Sequence, residues 1–187
     1  MNKSVISIIG MDSPGVIYTV SDTLLKLNCM FDTVSQTVIK NQFAAIFIII
    51  KPDRLDNHII HQQLSNTFLQ KNMDLHITIH PFHDPIPLHL STNNSKFIVT
   101  VKGKDSINLI TILSKVITQY KINIEKLVVD TDDRSQTSFV SCEITLSSLI
   151  NKDALYNDLK LQLQPHSSNI TIQHSQIFEA MHRIPIL

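Results

Sequence analysis

Apolar positions in this chain fall into short blocks whose period switches between that of a strand and that of a helix. Val5 to Ile9 is an apolar run of strand length, after which Val16, Val20, Leu24 and Leu27 recur on one helical stripe. Phe31 to Ile39 and Phe43 to Ile50 are rich in β-branched and aromatic residues and are separated by Lys40, Asn41 and Gln42, which predicts a hairpin. A second helix is expected from near Asp56, with Ile60, Leu64 and Phe68 on its buried stripe. Leu75, Ile77 and Ile79 then alternate with His76, Thr78 and His80 as a fourth strand. The turn Gly10 to Ser13 feeds the first helix, with Ser13 expected at its cap, Pro14 at its first position, and Asn28 as a left-handed stop.

The same β-α-β-β-α-β order recurs: a strand at Phe97 to Val101, a helix from about Ile107 to Tyr120, strands at Ile124 to Val129 and Phe139 to Leu146, a helix from about Lys152 to Leu163, and a strand at Asn169 to His174. Only the hairpin differs, with a longer connection expected from Asp130 to Thr137. Gly10, Asp12, Ser13, Ile17 and Ser21 reappear 93 residues later as Gly103, Asp105, Ser106, Ile110 and Ser114, so one supersecondary unit is duplicated. The expected organisation is a first domain over 1–81, a linker over 82–95, a second domain over 96–176, and a tail over 177–187; from Pro81 to Ser95 the chain carries three prolines and a Ser-Thr-Asn-Asn-Ser cluster. The fold class is α+β. Right-handed crossovers would give two ferredoxin-like domains, each a four-stranded antiparallel sheet with its first and third strands central and two helices on one face.

That topology gives Ala44 to Ile50 a meaning. Every position in this central strand is apolar although the helices can cover one face only, so the other face is expected to pack on the second half or on another chain. The counterpart alternates Phe139, Ser141, Glu143 and Thr145 with Val140, Cys142, Ile144 and Leu146, the pattern of a half-buried strand.

Composition narrows the class. The chain has 187 residues, 43% of them hydrophobic and 17% charged, which suits a globular protein. Lys plus Arg and Asp plus Glu are equal at 16 each, which disfavours direct nucleic-acid binding. Cys29 and Cys142 both sit in apolar runs, as reduced core thiols of a cytoplasmic protein would. The first apolar stretch is too short, and too soon broken by Asp12 and Pro14, to be a signal peptide, and no apolar run is long enough to span a membrane.

The segment Ile8-Ile9-Gly10-Met11-Asp12-Ser13-Pro14-Gly15-Val16, followed by a helix and Asn28-Cys29-Met30-Phe31, resembles the ACT domain. With two copies in matching order, the whole chain resembles the tandem-ACT proteins typified by the glycine cleavage system transcriptional repressor, through Ile177-Phe178-Glu179-Ala180-Met181-His182-Arg183-Ile184. The resemblance implies a regulatory protein, not an enzyme, that binds an amino acid, glycine among the candidates, at the first strand-to-helix turn. It has no recognisable helix-turn-helix, so a transcriptional effect would run through a DNA-binding protein partner, and a homodimer is expected. The rival reading is a non-sensing interaction module or the regulatory subunit of a metabolic enzyme. Two departures stand out. The family's Gly-x-Asn-Ile at the second strand is Asn28-Cys29-Met30-Phe31 in the first copy, and the second copy keeps Asn123-Ile124 but replaces Pro-Gly by Ile107-Asn108.

The residues at the turns carry their own chemistry. N–H groups of Gly15, Val16 and Ile17 at a helix N-terminus favour a carboxylate, Gly15 leaves room for a ligand against the backbone, and Asp12 suits an α-ammonium group. The candidate ligand-binding set is therefore Asp12, Ser13, Pro14, Gly15, Val16 and Ile17, with Met30 and Phe31 at the second strand. A weaker second site would use Asp105, Asn108, Asn123 and Ile124. The competing reading is that Asp12 or Ser13 caps the helix and Gly15 serves packing; the bulk of Asn108 favours capping in the second copy.

Other chemistry is not expected. His58 with His61, and His76, His80 and His83, read as solvated polar positions, because transition-metal sites usually add carboxylate or thiolate ligands at close spacing and neither Cys is near. Val128-Val129-Asp130-Thr131-Asp132 superficially resembles the aspartate-nucleophile motif of phosphatases, but a unit this small lacks the rest of that site, and Asp132, Asp133 and Arg134 read as a hairpin loop. No phosphate loop, Cys-x-x-Cys pair or nucleophile elbow is present, so no catalytic residue, metal or cofactor is expected.

Overall fold

The structure, a computed structural model, describes residues 2–83, 94–132 and 134–182. It divides into two compact units, Met1–Ile86 and Pro87–Leu187. In the first unit the elements are β1 (Asn2–Met11), α1 (Val16–Lys26), β2 (Met30–Ile39), β3 (Gln42–Lys51), α2 (Asn57–Gln70) and β4 (Leu75–Pro81). The second has β5 (Asn94–Gly103), α3 (Ser106–Gln119), β6 (Ile124–Asp132), β7 (Thr137–Ser147), α4 (Lys152–Leu163), β8 (Ser167–His174) and α5 (Ser175–His182). The sheets run β2-β3-β1-β4 and β6-β7-β5-β8, antiparallel throughout, with the first and third strands of each unit central. These are two ferredoxin-like α+β units, as the crossover argument expects.

Local chemistry explains the boundaries. Lys40 and Asn41, at φ 46 and 64, make a two-residue turn matched to the twist of the hairpin between Ile39 and Gln42. Asn28, Asn72 and Lys121 take left-handed angles just beyond α1, α2 and α3. Asp56 and Asn151 cap α2 and α4 by accepting from His58 N and from Asp153 N and Ala154 N.

Each unit has its own core. In the first, Ile6, Ile8, Phe43, Phe47 and Ile49 of the sheet meet Val20 and Leu24 of α1 and Ile60, Leu64 and Phe68 of α2, all fully buried or nearly so. In the second, Val99, Val101, Val140, Cys142 and Ile144 meet Leu109, Leu113, Val116 and Ile117 of α3 and Leu155, Leu159 and Leu163 of α4. Burial raises the Cys29 thiol above its ordinary value and pushes Cys142 up to about 12.

Several elements extend past the apolar blocks that predicted them. Backbone pairing continues where side chains turn polar, so β5 begins at Asn94 rather than Phe97, leaving Asn94 and Ser95 in a strand instead of the linker. The β6–β7 connection is shorter than the expected Asp130 to Thr137, since Asp130–Asp132 and Thr137 pair across the hairpin. Asp133, the greater part of the linker and the end of the tail lie outside the described residues. The tail expected from Ile177 starts inside a helix, because Ser175 to His182 has an amphipathic pattern that packs on β5 and β8.

Replacing Leu113, fully buried under α3, by Ala is expected to destabilise the second unit by about 2–5 kcal/mol. Leu161→Ala, at a side chain 72% exposed on the far side of α4, should change stability by less than about 0.5 kcal/mol. Urea unfolding of the two variants checks the contrast, and equal losses would refute this packing. Native protein should also resist a thiol reagent at neutral pH until it is unfolded.

Candidate functional site

The first strand-to-helix turn is held from two sides. Met11 N donates to Asp74 O (3.0 Å) in the α2–β4 connection, and Asp12 N donates to Asn41 O (2.9 Å) at the hairpin tip. Gly10 is required by this contact: a Cβ there would lie 2.2 Å from the Asp74 carbonyl oxygen. The turn's frame therefore comes from chain segments remote in sequence.

Helix α1 begins later than expected. Gly15, at φ 92, is the residue before the first helical turn, and no side chain caps the helix. Ser13 is not the cap and Pro14 is not in the first helical position, because the left-handed angle at Gly15 separates them from the helix. A Cβ on Gly15 would meet nothing nearer than Met73 Cε at 4.0 Å, so glycine is needed for its backbone angle while the space beside it stays open. Thr19 N bonds to Gly15 O (2.9 Å), and the earlier N–H groups of the helix, Val16, Ile17 and Tyr18, have no partner within it. Ser13 Oγ is buried and has no hydrogen-bond partner.

The second turn solves the same geometry differently. Helix α3 starts at Ser106, the counterpart of Ser13, and its cap is Asp105 at φ 64. The Asp105 carboxylate accepts from Asn108 N (3.2 Å) and from Asn108 Nδ2 (2.7 Å). Ile107 and Asn108, standing where the first copy has Pro14 and Gly15, are wound into the helix. The aspartate that caps α3 is thus the counterpart of Asp12, which in the first copy is exposed and outside the helix.

Some expected site residues come together and others do not. Asp12 to Ile17 form the turn and the first residues of α1. Met30 and Phe31 instead border a cleft of about 210 Å³ with Ser21, Leu24, Leu25 and Cys29, and no turn residue lines it. Phe31 also stacks on Phe47, with ring centroids 5.7 Å apart. Around the second turn, Asp105 borders a cleft of about 410 Å³ with Lys102, Lys104, Thr137, Pro165 and His166. Asn108, Asn123 and Ile124 are not part of its lining.

Two residues at the first turn escape sequence reasoning. Lys71, just past α2, donates from Nζ to Thr19 Oγ1 (3.0 Å) and lies 5.2 Å from the centre of the Tyr18 ring. It places a positive charge against the first turns of α1, adding to the field that favours an anion there. Met73 approaches Gly15 from the same connection. Neither has a local signal beyond its place between a helix and a strand. Among the described residues no group of three or more His, Cys, Asp or Glu side chains is arranged to hold a metal ion, and no helix is long and apolar enough to cross a membrane.

Two substitutions separate the turns. Ser13→Ala should leave stability unchanged or raise it slightly, because its hydroxyl has no partner to lose. Asp105→Ala should cost about 1–2 kcal/mol by removing a cap and leaving Ala at a left-handed angle. Thermal denaturation checks both, and a larger loss at Ser13 would contradict the uncapped start of α1.

The ACT domain family model matches residues 3–80. A UPF0237 protein of Methanopyrus kandleri is 33% identical over 49 residues, covering 26% of this chain and 54% of that protein, so the chain spans about half the length of this relative. Two solved structures share the fold over the whole length. An unknown protein from Galdieria sulphuraria superposes with a TM-score of 0.70 at 14% identity, over 92% of this chain and 98% of the other. A candidate glycine cleavage system transcriptional repressor superposes with a TM-score of 0.66 at 15% identity, over 92% and 96%. Residues 3–80 thus match the ACT domain family model, and the chain as a whole shares the two-unit fold of these two structures.

Proposed function

We propose that this chain is an amino-acid-sensing regulatory protein without catalytic activity, and that its ligand binds at the first strand-to-helix turn. The observation carrying this reading is the uncapped start of α1: Gly15 holds the turn open, and Asp12 stands outside the helix where its counterpart Asp105 is consumed as a cap. A ligand carboxylate would take the unpaired N–H groups of the first helical turn, helped by Lys71, and an α-ammonium group would answer Asp12. A small zwitterion such as glycine suits the space beside Gly15, where a Cβ would meet nothing nearer than Met73 Cε at 4.0 Å. The second turn, closed by Asp105 and Asn108, keeps the fold and does not bind.

The structural likeness to a candidate glycine cleavage system transcriptional repressor supports a role in regulating glycine cleavage or amino-acid metabolism. With cationic and acidic residues equal in number, the chain would act through a DNA-binding protein partner rather than on nucleic acid itself. Ligand would act by favouring one arrangement of a cytoplasmic homodimer.

A thermal-shift screen against the common amino acids tests this. At about 100 times its dissociation constant a ligand should add about 2.7 kcal/mol and raise Tm by several degrees. Asp12→Asn should weaken amino acids more than the matching simple carboxylates, whereas Lys71→Met should weaken both. Gly15 is a poor probe, because at φ 92 any side chain strains the backbone. Folded protein that responds to no amino acid would refute the sensor reading and favour a non-sensing interaction module.

A further inference from the structure

The helix-free sheet faces of the two units differ in a way that identifies an interface. In the first unit, strand register places Val5, Ser7, Ile9 and Met11 of β1 beside Ile48, Ile46, Ala44 and Gln42 of β3, with Thr33, Ser35 and Thr37 of β2 beyond them. Ile9 is 57% and Ile46 52% exposed, and a shallow groove of about 350 Å³ runs between Ile9, Ser35, Thr37, Ala44 and Ile46. Across these three strands the charged residues on this face are Lys3 and Asp32, which pair at 2.8 Å at its end.

The equivalent face of the second unit carries more charge, alongside exposed Val128 and Phe139. Ile48, Ile9 and Thr37 have the counterparts Glu143, Lys102 and Asp130, and Lys96 bridges Glu125 (2.9 Å) and Glu143 (2.6 Å). Part of that unit's sheet is packed by its own α5, which contacts β5 and β8. Thr100, the counterpart of Ser7, is 9% exposed, and its hydroxyl is hydrogen-bonded to that of Thr171 on β8. The first unit has Ile9, Thr37 and Ile48 in place of those charges and no helix equivalent to α5 among its described residues, and an apolar sheet face left uncovered is a site for association.

We infer that this face of the first unit is where two copies of the chain pair, face to face about a two-fold axis. The inference rests on the homodimer proposed above and names its surface. Charge selects the occupant. A second copy presents the same Val, Ile, Ser and Thr surface over β1, β2 and β3, flanked by His76, Thr78 and His80 of β4, so pairing desolvates no carboxylate, Lys or Arg at its centre, whereas a surface like that of the second unit would bury Lys102, Asp130 and Glu143. Size agrees: three or four strands about 4.8 Å apart and about eight residues at about 3.4 Å give roughly 500 Å² per copy. Two copies together reach about 1,000 Å², the lower end of a specific interface.

Solution molar mass of the full chain, with two variants and one control, decides the matter. The wild type should be a dimer. Ile46→Glu should associate at least about 100-fold more weakly, because pairing would bury an unmatched charge from each copy. Ile46→Ser installs the residue the second unit has at this position, Ser141, and should weaken association about tenfold or more. Circular dichroism should show both variants folded, since Ile46 is half exposed in the unit itself. Val38→Glu, on the opposite side of the edge strand β2 and 47% exposed, should leave the dimer intact. A monomeric wild type would overturn both the dimer and this surface. A dimer that survives Ile46→Glu, or that Val38→Glu also breaks, would overturn the surface and leave the dimer standing.

Discussion

Whether the first turn is open or closed depends on one backbone angle, the φ of 92 at Gly15, which ends the turn and lets α1 begin only at Val16. A residue with a side chain resists that angle, so the helix would otherwise be free to wind one turn earlier, as α3 does from Ser106. Winding that extra turn draws the aspartate of the motif into the cap. Delaying the helix leaves the aspartate exposed and the first N–H groups of α1 without a side-chain acceptor. The two copies share a motif but use its acidic residue in opposite ways.

The angle alone does not hold the turn in place. Asp74 O and Asn41 O bond the backbone on either side, and the absence of a Cβ at Gly10 lets the Asp74 carbonyl approach. The α2–β4 connection that supplies Asp74 also brings Lys71 to Thr19 and Met73 to Gly15. Core packing and the turn are therefore coupled through α2, whose Ile60, Leu64 and Phe68 are seated in the sheet. Displacing α2 would move the cation and the carbonyl that define the site.

These relations show why the fold was legible in the sequence and the site only partly. Strand and helix periods are local, so alternation at Leu75 to Ile79 and the stripe at Ile60, Leu64 and Phe68 locate elements directly, and the 93-residue repeat fixes the topology twice over. The motif marked the turn for the same reason. Lys71 lies 52 positions from Thr19, and only the packed α2 reveals their contact. Ser13 and Pro14 looked like a helix start because both are favoured there, and the competing demand of Gly15 overrode them. Helix α5 was hidden because an eight-residue amphipathic stretch at the chain's end looks much like a tail until β5 and β8 are seen to receive it.

The two copies of the duplicated unit thus differ at two surfaces, the first turn and the helix-free sheet face. Asp105 and Asn108 close the second turn, and Lys102, Asp130 and Glu143 put charge on the second sheet face where the first has Ile9, Thr37 and Ile48. In the first copy the helix start lacks a cap and the Ile9–Ile46 face lacks a cover. An apolar face and an uncapped helix each cost stability when left in water, so a copy that retains both is best explained by partners that satisfy them. The two surfaces share β1: Ile9 ends the apolar row, and Met11 and Asp12 enter the turn. The proposed ligand site and the proposed pairing face therefore meet on one strand, so a shift of that strand end would reach both.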